Sequence, residues 1–475
     1  MSYSIFRWQL IALALFTAVA ANAQPVITVS DEQLPDFREV CTGHFSGEQF
    51  YEVSAEQLSS PLILQAGEPF RISLHCYEGF TDSLSLPAVD GEVAPTRIYV
   101  RLFPETTGVF ESDIIHYSDD TEDIPLPVSG TGIDTTVPEA YYETATGTGS
   151  ELKTQLYGII EGHSVQSYSA LWTHFEVTDA TFDGYVWDIY ADIPCEEPPY
   201  IYTFGDDQDS GTGGTSEDDV YNREHSMPRS WFGGSVDPMN TDLYHIYPVD
   251  KYVNAQRGSY PFGEVDNPQW ISMNGTKLGP NAAGGYEGVA FEPIDAYKGD
   301  LARAFFYMIT RYENQIEDWT YSDSGNAMFD HNTYPGYEPW VIDMLLDWHE
   351  QDPVSQKERV RNQAVYAIQG NRNPFIDRPE FVEKIWGDTT VHITPDPAPM
   401  HVTIFPNPST SLIFIEMHDD ITGLELYTTS GKLVKSAVPK EQQTTLNMGA
   451  LPPGVYFLHL KTPNGIIREK VVRNE

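Results

Sequence analysis

Hydrophobic and polar residues alternate in short runs in two separate parts of the chain. In the first part, residues 24–135, the runs PFRISLHCYEGF, TRIYVRLFP and DIPLPVSGTG are bounded by Gly, Pro and Asp, which is typical of strands joined by turns. Strands at this spacing favour a β-sandwich. The second part, residues 401–475, contains VTIFPNPS, LELYTTSGKLV and GVYFLHLKT, which predict a smaller β-sandwich.

Residues 139–390 show helical spacing instead. The segments SELKTQLYGIIEGH, GDLARAFFYMITRYENQ, PWVIDMLLDWHEQ and PVSQKERVRNQAVYAIQG carry apolar residues three and four positions apart and predict amphipathic helices. The segment DATFDGYVWDIYADIP predicts a strand. This mixture predicts an α+β domain between the two β-rich parts.

The ends of the chain predict export. Arg7, the apolar run 8–20 and the sequence Ala21-Asn22-Ala23 have the order of a secretory signal peptide over residues 1–23, with a membrane anchor as the alternative. No later apolar run is long enough to span a membrane, so we expect no transmembrane segment in the mature chain. A Pro-rich linker is expected at 391–400.

Composition limits the function classes. The 475 residues include 70 acids and 27 bases, a formal charge of −43, which excludes a simple basic nucleic-acid coat protein. Of the three cysteines, Cys41 and Cys76 lie in the same β-rich region and are candidates for a disulfide in an oxidising compartment. That pairing would leave Cys195 as a lone thiol.

Candidate chemistry is concentrated between residues 221 and 265. Phosphodiester hydrolysis needs a base that activates water, a cation that neutralises the developing charge and a stabilised leaving oxygen. A neutral histidine suits the first need, a carboxylate and an amide oxygen suit Mg²⁺, and arginine suits a phosphate. This segment supplies all of these groups in Glu224, His225, Asp242, His245, Asn254 and Arg257.

Local geometry supports a shared site on one condition. A short helix is predicted after Pro248 with Asp250 near its N-cap, which places Asn254 and Arg257 on one face. Glu224 and His225 are neighbours and would point to opposite sides of a regular strand. Both can serve one site only if the strand ends or bends there, and the nearby Pro228 favours an end.

The ordered motifs of this region resemble the endonuclease I family of secreted nucleases, which use the ββα-metal (His-Me) finger. The matching segments are Glu224-His225, Asp242–Pro248 (DLYHIYP), Val253–Arg257 (VNAQR), Leu301-Ala302-Arg303 and Ile368–Phe375 (IQGNRNPF). Tyr244 stands where the family pattern has histidine.

The resemblance implies roles for individual residues. His225 would be the general base, with Arg257 as a second catalytic group, and Glu224 and Asn254 would hold one Mg²⁺, Ca²⁺ or Mn²⁺ ion. The phosphate contact is left open among Arg257, Arg303 and Arg372. Asp242 and His245 would support the site. The expected partner is DNA, with RNA as a second substrate, contacted through the phosphate backbone with little sequence preference.

The two β-rich parts also resemble known modules. Residues 128–132 (VSGTG) resemble the last strand of Ig-like modules. The C-terminal part resembles the sorting domain of the type IX secretion system through Phe405–Ser409 (FPNPS), Tyr427, Gly431-Lys432, Leu451–Tyr456 (LPPGVY) and Lys470–Val472. This resemblance implies export by that machinery to the cell surface or the medium.

The predicted fold is therefore multidomain: a β-sandwich, an α+β ββα-metal nuclease domain and a small C-terminal β-sandwich. One alternative is a secreted binding or adhesion protein that keeps the nuclease fold without activity, as the acidity and Tyr244 suggest. A zinc hydrolase using His225 and His245 is another, although no HExxH helix supports it.

Overall fold

A computed structural model describes residues 24–119, 121–319, 323–387, 402–428, 432–439, 441–462 and 465–474. The predicted signal peptide (1–23) and linker (391–400) lie outside these residues. The chain divides into two compact units, Met1–Thr390 and Val391–Glu475. Both β-rich parts and the mixed domain are present, so the expectation of a multidomain chain with mixed α and β content is confirmed.

The N-terminal part of the first unit consists of two sheets that share one core. Their strand orders are β1-β3-β7-β5 and β2-β9-β8-β4-β6. Buried residues from both sheets, such as Val53 and Leu64, belong to one apolar cluster, because alternate side chains of each strand point to the same face. The strands are β1 (Val26–Val29), β2 (Glu39–Cys41), β3 (Gln49–Glu56), β4 (Leu62–Ala66), β5 (Phe70–Ser73), β6 (Ser83–Leu86), β7 (Val93–Leu102), β8 (Gly108–Tyr117) and β9 (Ile124–Ile133).

The rest of the first unit is mostly helical. Its elements are α1 (Gly149–Ile160), α2 (Leu171–Thr178), β10 (Tyr221–His225), β11 (Ile246–Asp250), α3 (Lys251–Arg257), β12 (Trp270–Ile271), β13 (Lys277–Pro280), β14 (Val289–Glu292), α4 (Lys298–Arg311), α5 (Asp323–Asn326), α6 (Pro339–Gln351), α7 (Gln356–Gln369), α8 (Pro374–Asp377) and α9 (Glu380–Trp386). The four predicted helices correspond to α1, α4, α6 and α7.

Helix α4 differs from the prediction in its environment. All of its residues are buried, so it is a central helix and not an amphipathic one. Helix α7 has the ends its sequence specifies. Ser355 and Glu358 form a reciprocal capping box at its start, and Gly370, with φ of 82°, closes its end.

The strand predicted over DATFDGYVWDIYADIP is wrong. Within these residues the structure has only an isolated bridge between Ala180 and Val186. The carboxylate of Asp188 instead accepts hydrogen bonds from the backbone N–H groups of Tyr190 and Asp250, which holds the segment as a folded loop against β11. Trp187 and Tyr190 are buried in the core of the mixed domain, so their apolar character reflects packing and not strand pairing.

The predicted cysteine arrangement is also wrong. Cys76 and Cys195 form a disulfide with Cα atoms 5.9 Å apart, and Cys41 is the buried free thiol. The bond joins the N-terminal β part to the mixed domain. Arg38 Nε donates to the Phe182 carbonyl oxygen at 2.7 Å across the same contact. The sequence could not show this because the pairing depends on how the two parts pack together.

The second unit contains two antiparallel sheets with strand orders β15-β16-β19 and β18-β17-β20-β21. Ile413 and Ile415 of one sheet and Leu426 and Leu458 of the other are buried in one core. The strands are β15 (Val402–Phe405), β16 (Leu412–Ile421), β17 (Gly423–Thr428), β18 (Leu433–Ala437), β19 (Glu441–Asn447), β20 (Gly454–Thr462) and β21 (Gly465–Arg473). In the part of the chain that the structure describes, no helix has the length and apolar character needed to cross a bilayer.

Candidate active site

The candidate site is built on two antiparallel strands followed at once by a helix. In the register of β10 and β11, Glu224 lies opposite Tyr247 and His225 opposite Ile246. Helix α3 begins directly after β11, and the carboxylate of Asp250 accepts a 2.8 Å hydrogen bond from the backbone N–H of Val253. Asp250 therefore caps the helix as predicted and fixes the direction in which α3 leaves the strands.

The end of β10 at His225 brings neighbouring side chains to one cleft. Asn222 and Glu224 face α3, whereas Arg223 and His225 face Tyr168. Strand β10 ends at His225, and both sets line the same opening, as the sequence required for a shared site. The cleft has a volume of about 550 Å³ and is lined by Tyr168, Asp209, Asn222, Arg223, Glu224, His225, Pro228, Arg229, Ser230, Asn254, Gly258 and Ser259.

His225 is held in one tautomer. Its Nε2 lies 3.0 Å from the backbone carbonyl oxygen of Asn240. A carbonyl can only accept, so Nε2 carries the proton and Nδ1 keeps the free lone pair. Burial, followed by the neighbouring His245, lowers the pKa of His225 well below its usual value. The imidazole is therefore neutral near neutral pH and can accept a proton.

Glu224 is buried against Arg257. Its Oε1 accepts from Arg257 Nη1 at 2.8 Å and from the Tyr190 hydroxyl at 3.1 Å. Burial raises the pKa of Glu224, and Arg257 and Tyr190 oppose that rise. No described residue donates to Oε2, which leaves that oxygen for another ligand.

Arg257 points inward from α3. Besides Glu224 it donates to the backbone carbonyl oxygens of His225 and Ser226, and its side chain has no solvent exposure. It does not line the cleft. The sequence-based choice of Arg257 as a phosphate contact does not fit this geometry, because both Nη groups bind protein acceptors and the fully buried side chain lies outside the cleft lining. The residue organises the strand end that carries Glu224 and His225.

Asn254 lies on the cleft side of α3. Its Nδ2 donates to the Asn222 side-chain oxygen at 2.8 Å. With the amide nitrogen engaged, the oxygen Oδ1 is the atom left for the cleft. Asn222 escaped the sequence analysis, although its position two residues before Glu224 on a strand is the signal that places both on one side.

The oxygen atoms left on Glu224 and Asn254 suit a hard divalent cation. One carboxylate and one amide oxygen, with water completing the shell, is the kind of ligand set that Mg²⁺ accepts. Among the described residues, the one cluster of His, Cys, Asp or Glu with metal-like spacing is Glu48, Cys76 and Cys195, whose cysteines are disulfide-bonded. No described cluster pairs His225 with His245, so the zinc alternative has no support here.

Asp242 and His245 lie behind the cleft. Asp242 accepts from the hydroxyls of Tyr307 and Tyr312 and from Gln369. Burial would raise the pKa of Asp242, but His163, His245 and these hydrogen bonds outweigh it and hold the pKa below its usual value.

His245 packs its ring edge-on to His225, with centroids 5.4 Å apart, and its Nε2 lies 2.7 Å from the Met239 carbonyl oxygen. Burial lowers the pKa of His245 to about 4. It therefore supports His225 as a neutral neighbour.

The other arginine candidates lie in buried ion pairs outside the cleft lining. Arg303 pairs with Glu358, and Arg372 pairs with Asp377 at 2.7 Å. Tyr244 is also buried away from the cleft and donates to Asn362 and to the Asn371 carbonyl oxygen. Tyr244 is thus a buried core residue that does not line the cleft.

The structure adds three cleft residues that the sequence analysis did not select: Tyr168, Arg223 and Arg229. Arg223 alternates with His225 along β10, which could have drawn attention to it. Tyr168 comes from a segment more than 50 residues upstream, so only the tertiary structure brings it to the site.

Comparison with known proteins finds two matching families and several similar chains. A family model described as Endonuclease I matches residues 148–380, and one described as a secretion system C-terminal sorting domain matches residues 403–474. The chain is 34% identical over 312 residues to an extracellular ribonuclease of Bacillus amyloliquefaciens, covering 62% of this chain and 91% of the relative.

Two further relatives carry similar names. An extracellular ribonuclease of Bacillus subtilis (strain 168) is 37% identical over 260 residues, covering 52% of this chain and 78% of the relative. Endonuclease-1 of Buchnera aphidicola subsp. Baizongia pistaciae (strain Bp) is 23% identical over 170 residues, covering 32% and 60%.

The fold and the matches define a secreted nuclease with a type IX sorting domain at its C-terminal end. The chain belongs to the endonuclease I family. It is a secreted or cell-surface protein, as predicted.

Proposed function

We propose that this protein is a divalent-metal-dependent endonuclease that hydrolyses phosphodiester bonds of RNA and DNA with little sequence preference, using a ββα-metal active site. One observation carries the proposal: His225, Glu224 and Asn254 line the same cleft. The first supplies a proton acceptor and the other two supply oxygen ligands. Two relatives are named ribonuclease, which supports RNA as a substrate, and a third is named endonuclease without a stated nucleic acid.

His225 is the general base in this proposal. Its Nε2–H is fixed on the Asn240 carbonyl oxygen, so Nδ1 accepts the proton of the water that attacks phosphorus. Burial keeps the imidazole neutral and therefore competent at neutral pH. The edge-on ring of His245 fixes the plane of His225.

Glu224 and Asn254 hold the cation. Arg257 and Tyr190 bind one oxygen of Glu224 and orient the other, and Asn222 orients the amide of Asn254. A bound divalent ion, with Mg²⁺ proposed and Ca²⁺ or Mn²⁺ as substitutes, supplies positive charge for the developing phosphorane and the leaving oxygen.

Contacts to phosphate and sugar account for the proposed lack of sequence preference. The cleft is lined by polar and charged side chains next to the end of a strand. A long polyanion is repelled at a distance by a chain of formal charge −43. We therefore expect binding to depend on the cation and on the few positive groups at the cleft.

A nicking assay tests the function. Purified protein should convert supercoiled plasmid to nicked and linear forms and degrade a structured RNA with Mg²⁺, and EDTA should stop both reactions. His225→Ala should slow cleavage by about 10²- to 10⁴-fold.

His349→Ala is the matched histidine control, because His349 lies outside the cleft lining. Full activity of the His225 variant would exclude the proposed base. No cleavage by the wild-type protein with any divalent metal would favour the binding-protein alternative.

A further inference from the structure

Two arginines share one aromatic ring on the cleft wall. The Arg223 guanidinium carbon lies 3.7 Å from the centroid of the Tyr168 ring and 4.1 Å from that of the Trp172 ring. Arg223 Nη1 donates to the Tyr168 carbonyl oxygen at 2.7 Å. The Arg229 guanidinium carbon lies 5.7 Å from the same Tyr168 ring. Both positive groups are therefore held on the side of the cleft that carries His225.

Neither arginine has a carboxylate partner within ion-pair distance among the described residues. The side chain of Arg229 is exposed and makes one 3.3 Å hydrogen bond, to the Ser235 hydroxyl. The nearby cleft carboxylate Asp209 is engaged by Lys251 at 2.9 Å. In contrast, Arg257, Arg303, Arg361 and Arg372 are each paired with a buried acid.

The two unpaired guanidinium groups also repel each other. Both guanidinium groups lie over the same Tyr168 ring, so their positive charges are close together. The acid of the same cleft, Asp209, forms its ion pair with Lys251, so an anion bound between the two arginines would be favoured. Arginine is well suited to phosphate, because its planar fork donates two parallel hydrogen bonds.

The position of this pair relates it to the reaction. The Tyr168 ring stacks on His225 with centroids 6.1 Å apart and an interplanar angle of 25°. Arg229 begins a short turn whose third residue, Trp231, is fully buried, so the turn is anchored while Arg229 stays at the rim. Glu224 and Asn254 lie on the α3 side of the same cleft.

We propose that Arg223 and Arg229 form a subsite that binds a backbone phosphate of the nucleic-acid strand next to His225. Arg229 makes the direct contact, and Arg223 is the positioning residue that adds a second positive charge from its place between Tyr168 and Trp172. This inference rests on the nuclease function proposed above and deepens it. It replaces Arg257, Arg303 and Arg372, which lie in buried ion pairs outside the cleft lining.

Salt-dependent binding tests the subsite separately from cleavage. The probe is a fluorescein-labelled single-stranded DNA 12-mer, measured by anisotropy in EDTA from low to moderate NaCl. Arg229→Ala should weaken binding about tenfold and reduce the slope of log K against log salt by about 0.7. Arg229→Lys should restore the slope, because it keeps the charge.

Arg378→Ala is the control, since Arg378 is an exposed arginine outside the cleft lining. It should bind with the affinity and slope of the wild-type protein. An Arg229→Ala protein whose affinity and slope equal those of the wild type would overturn the subsite.

Plasmid cleavage with Mg²⁺, run on the same preparations, separates the two ideas. If the wild-type protein cleaves plasmid but the salt slope of binding is unchanged in Arg229→Ala, only the subsite is excluded. If the salt slope of binding is reduced in Arg229→Ala but the wild-type protein does not cleave plasmid, the phosphate contact is supported and the enzyme function is excluded.

Discussion

Arg257 and Glu224 form a 2.8 Å ion pair in which neither side chain is more than 3% exposed. The guanidinium also holds the carbonyl oxygens of His225 and Ser226, so one side chain of α3 fixes the end of β10. Arg257 also opposes the rise that burial causes in the pKa of Glu224.

Replacing Arg257 by alanine should therefore destabilise the nuclease domain strongly. Removing one partner of a buried pair leaves an uncompensated charge and costs about 3–5 kcal/mol. Arg257→Lys should cost less, since it keeps the charge. Urea unfolding followed by tryptophan fluorescence measures this, because the tryptophans after Trp8 all lie between Trp172 and Trp386. Arg378, which forms an exposed ion pair with Glu380, is the control residue. Arg378→Ala should change the free energy of unfolding by less than about 1 kcal/mol. Equal losses for both alanine variants would contradict the assigned role.

Asp250 caps helix α3, and the same helix carries the proposed metal ligand Asn254. Its buried carboxylate accepts from Val253 N, the Tyr202 hydroxyl and Asp218 N. Asp250→Ala should destabilise the domain by about 1–3 kcal/mol. It should also raise the Mg²⁺ concentration for half-maximal cleavage, because Asn254 loses its fixed position. Asp250→Asn keeps one acceptor oxygen and serves as the matched variant. An unchanged Mg²⁺ requirement in Asp250→Ala would show that the helix cap does not position Asn254 for metal binding.

The Cys76–Cys195 disulfide should be detectable in the exported protein. Non-reducing peptide mapping should link these two cysteines, and Cys41 should react with iodoacetamide only after unfolding, since it is fully buried. The double variant Cys76→Ser/Cys195→Ser should lose about 2–5 kcal/mol of stability. Cys41→Ala in the same assay shows the effect of removing a thiol without breaking the link. A peptide joining Cys41 to Cys76 would show that the first sequence-based choice was right.

Acid should weaken the nuclease domain through His245. Its pKa falls from 6.5 to about 4 on folding, so the unfolded chain binds a proton between these values and the folded chain does not. The contribution of His245 to the free energy of unfolding is fully present above pH 6.5. It is lost as the pH falls toward 4, by about 1.4 kcal/mol per pH unit.

His245→Gln should reduce the dependence of the unfolding free energy on pH, measured by urea unfolding from pH 6.5 to 4.5. Glutamine does not titrate in this range, and its amide can still donate to the Met239 carbonyl oxygen. The pKa values of His116, His163, His174 and His349 are also lowered, but these residues stay in the two proteins and cancel in the comparison. The pKa of His225 is lowered partly by His245, so its smaller shift in the variant adds to the expected reduction. Identical slopes would show that His245 is not the group responsible.

Several parts of the site followed from short-range sequence patterns. The cap at Asp250, the cleft position of Asn254 and the end of β10 before Pro228 depend on residues within a few positions of one another. Such features are set by local backbone preferences, which the sequence carries directly. The α4, α6 and α7 helices were predictable for the same reason.

The sequence by itself determined helices α1, α3, α4, α6 and α7, the two β-rich parts and the group of residues that holds the candidate chemistry. Only the tertiary structure decided that Arg257 turns inward to Glu224, that Cys76 pairs with Cys195, and that Tyr168 brings Arg223 and Arg229 together beside His225. Each of these depends on contacts between segments distant in the chain. Periodicity and motif spacing report the neighbours along the backbone, whereas the partner of a buried charge or thiol is fixed by which surfaces pack together.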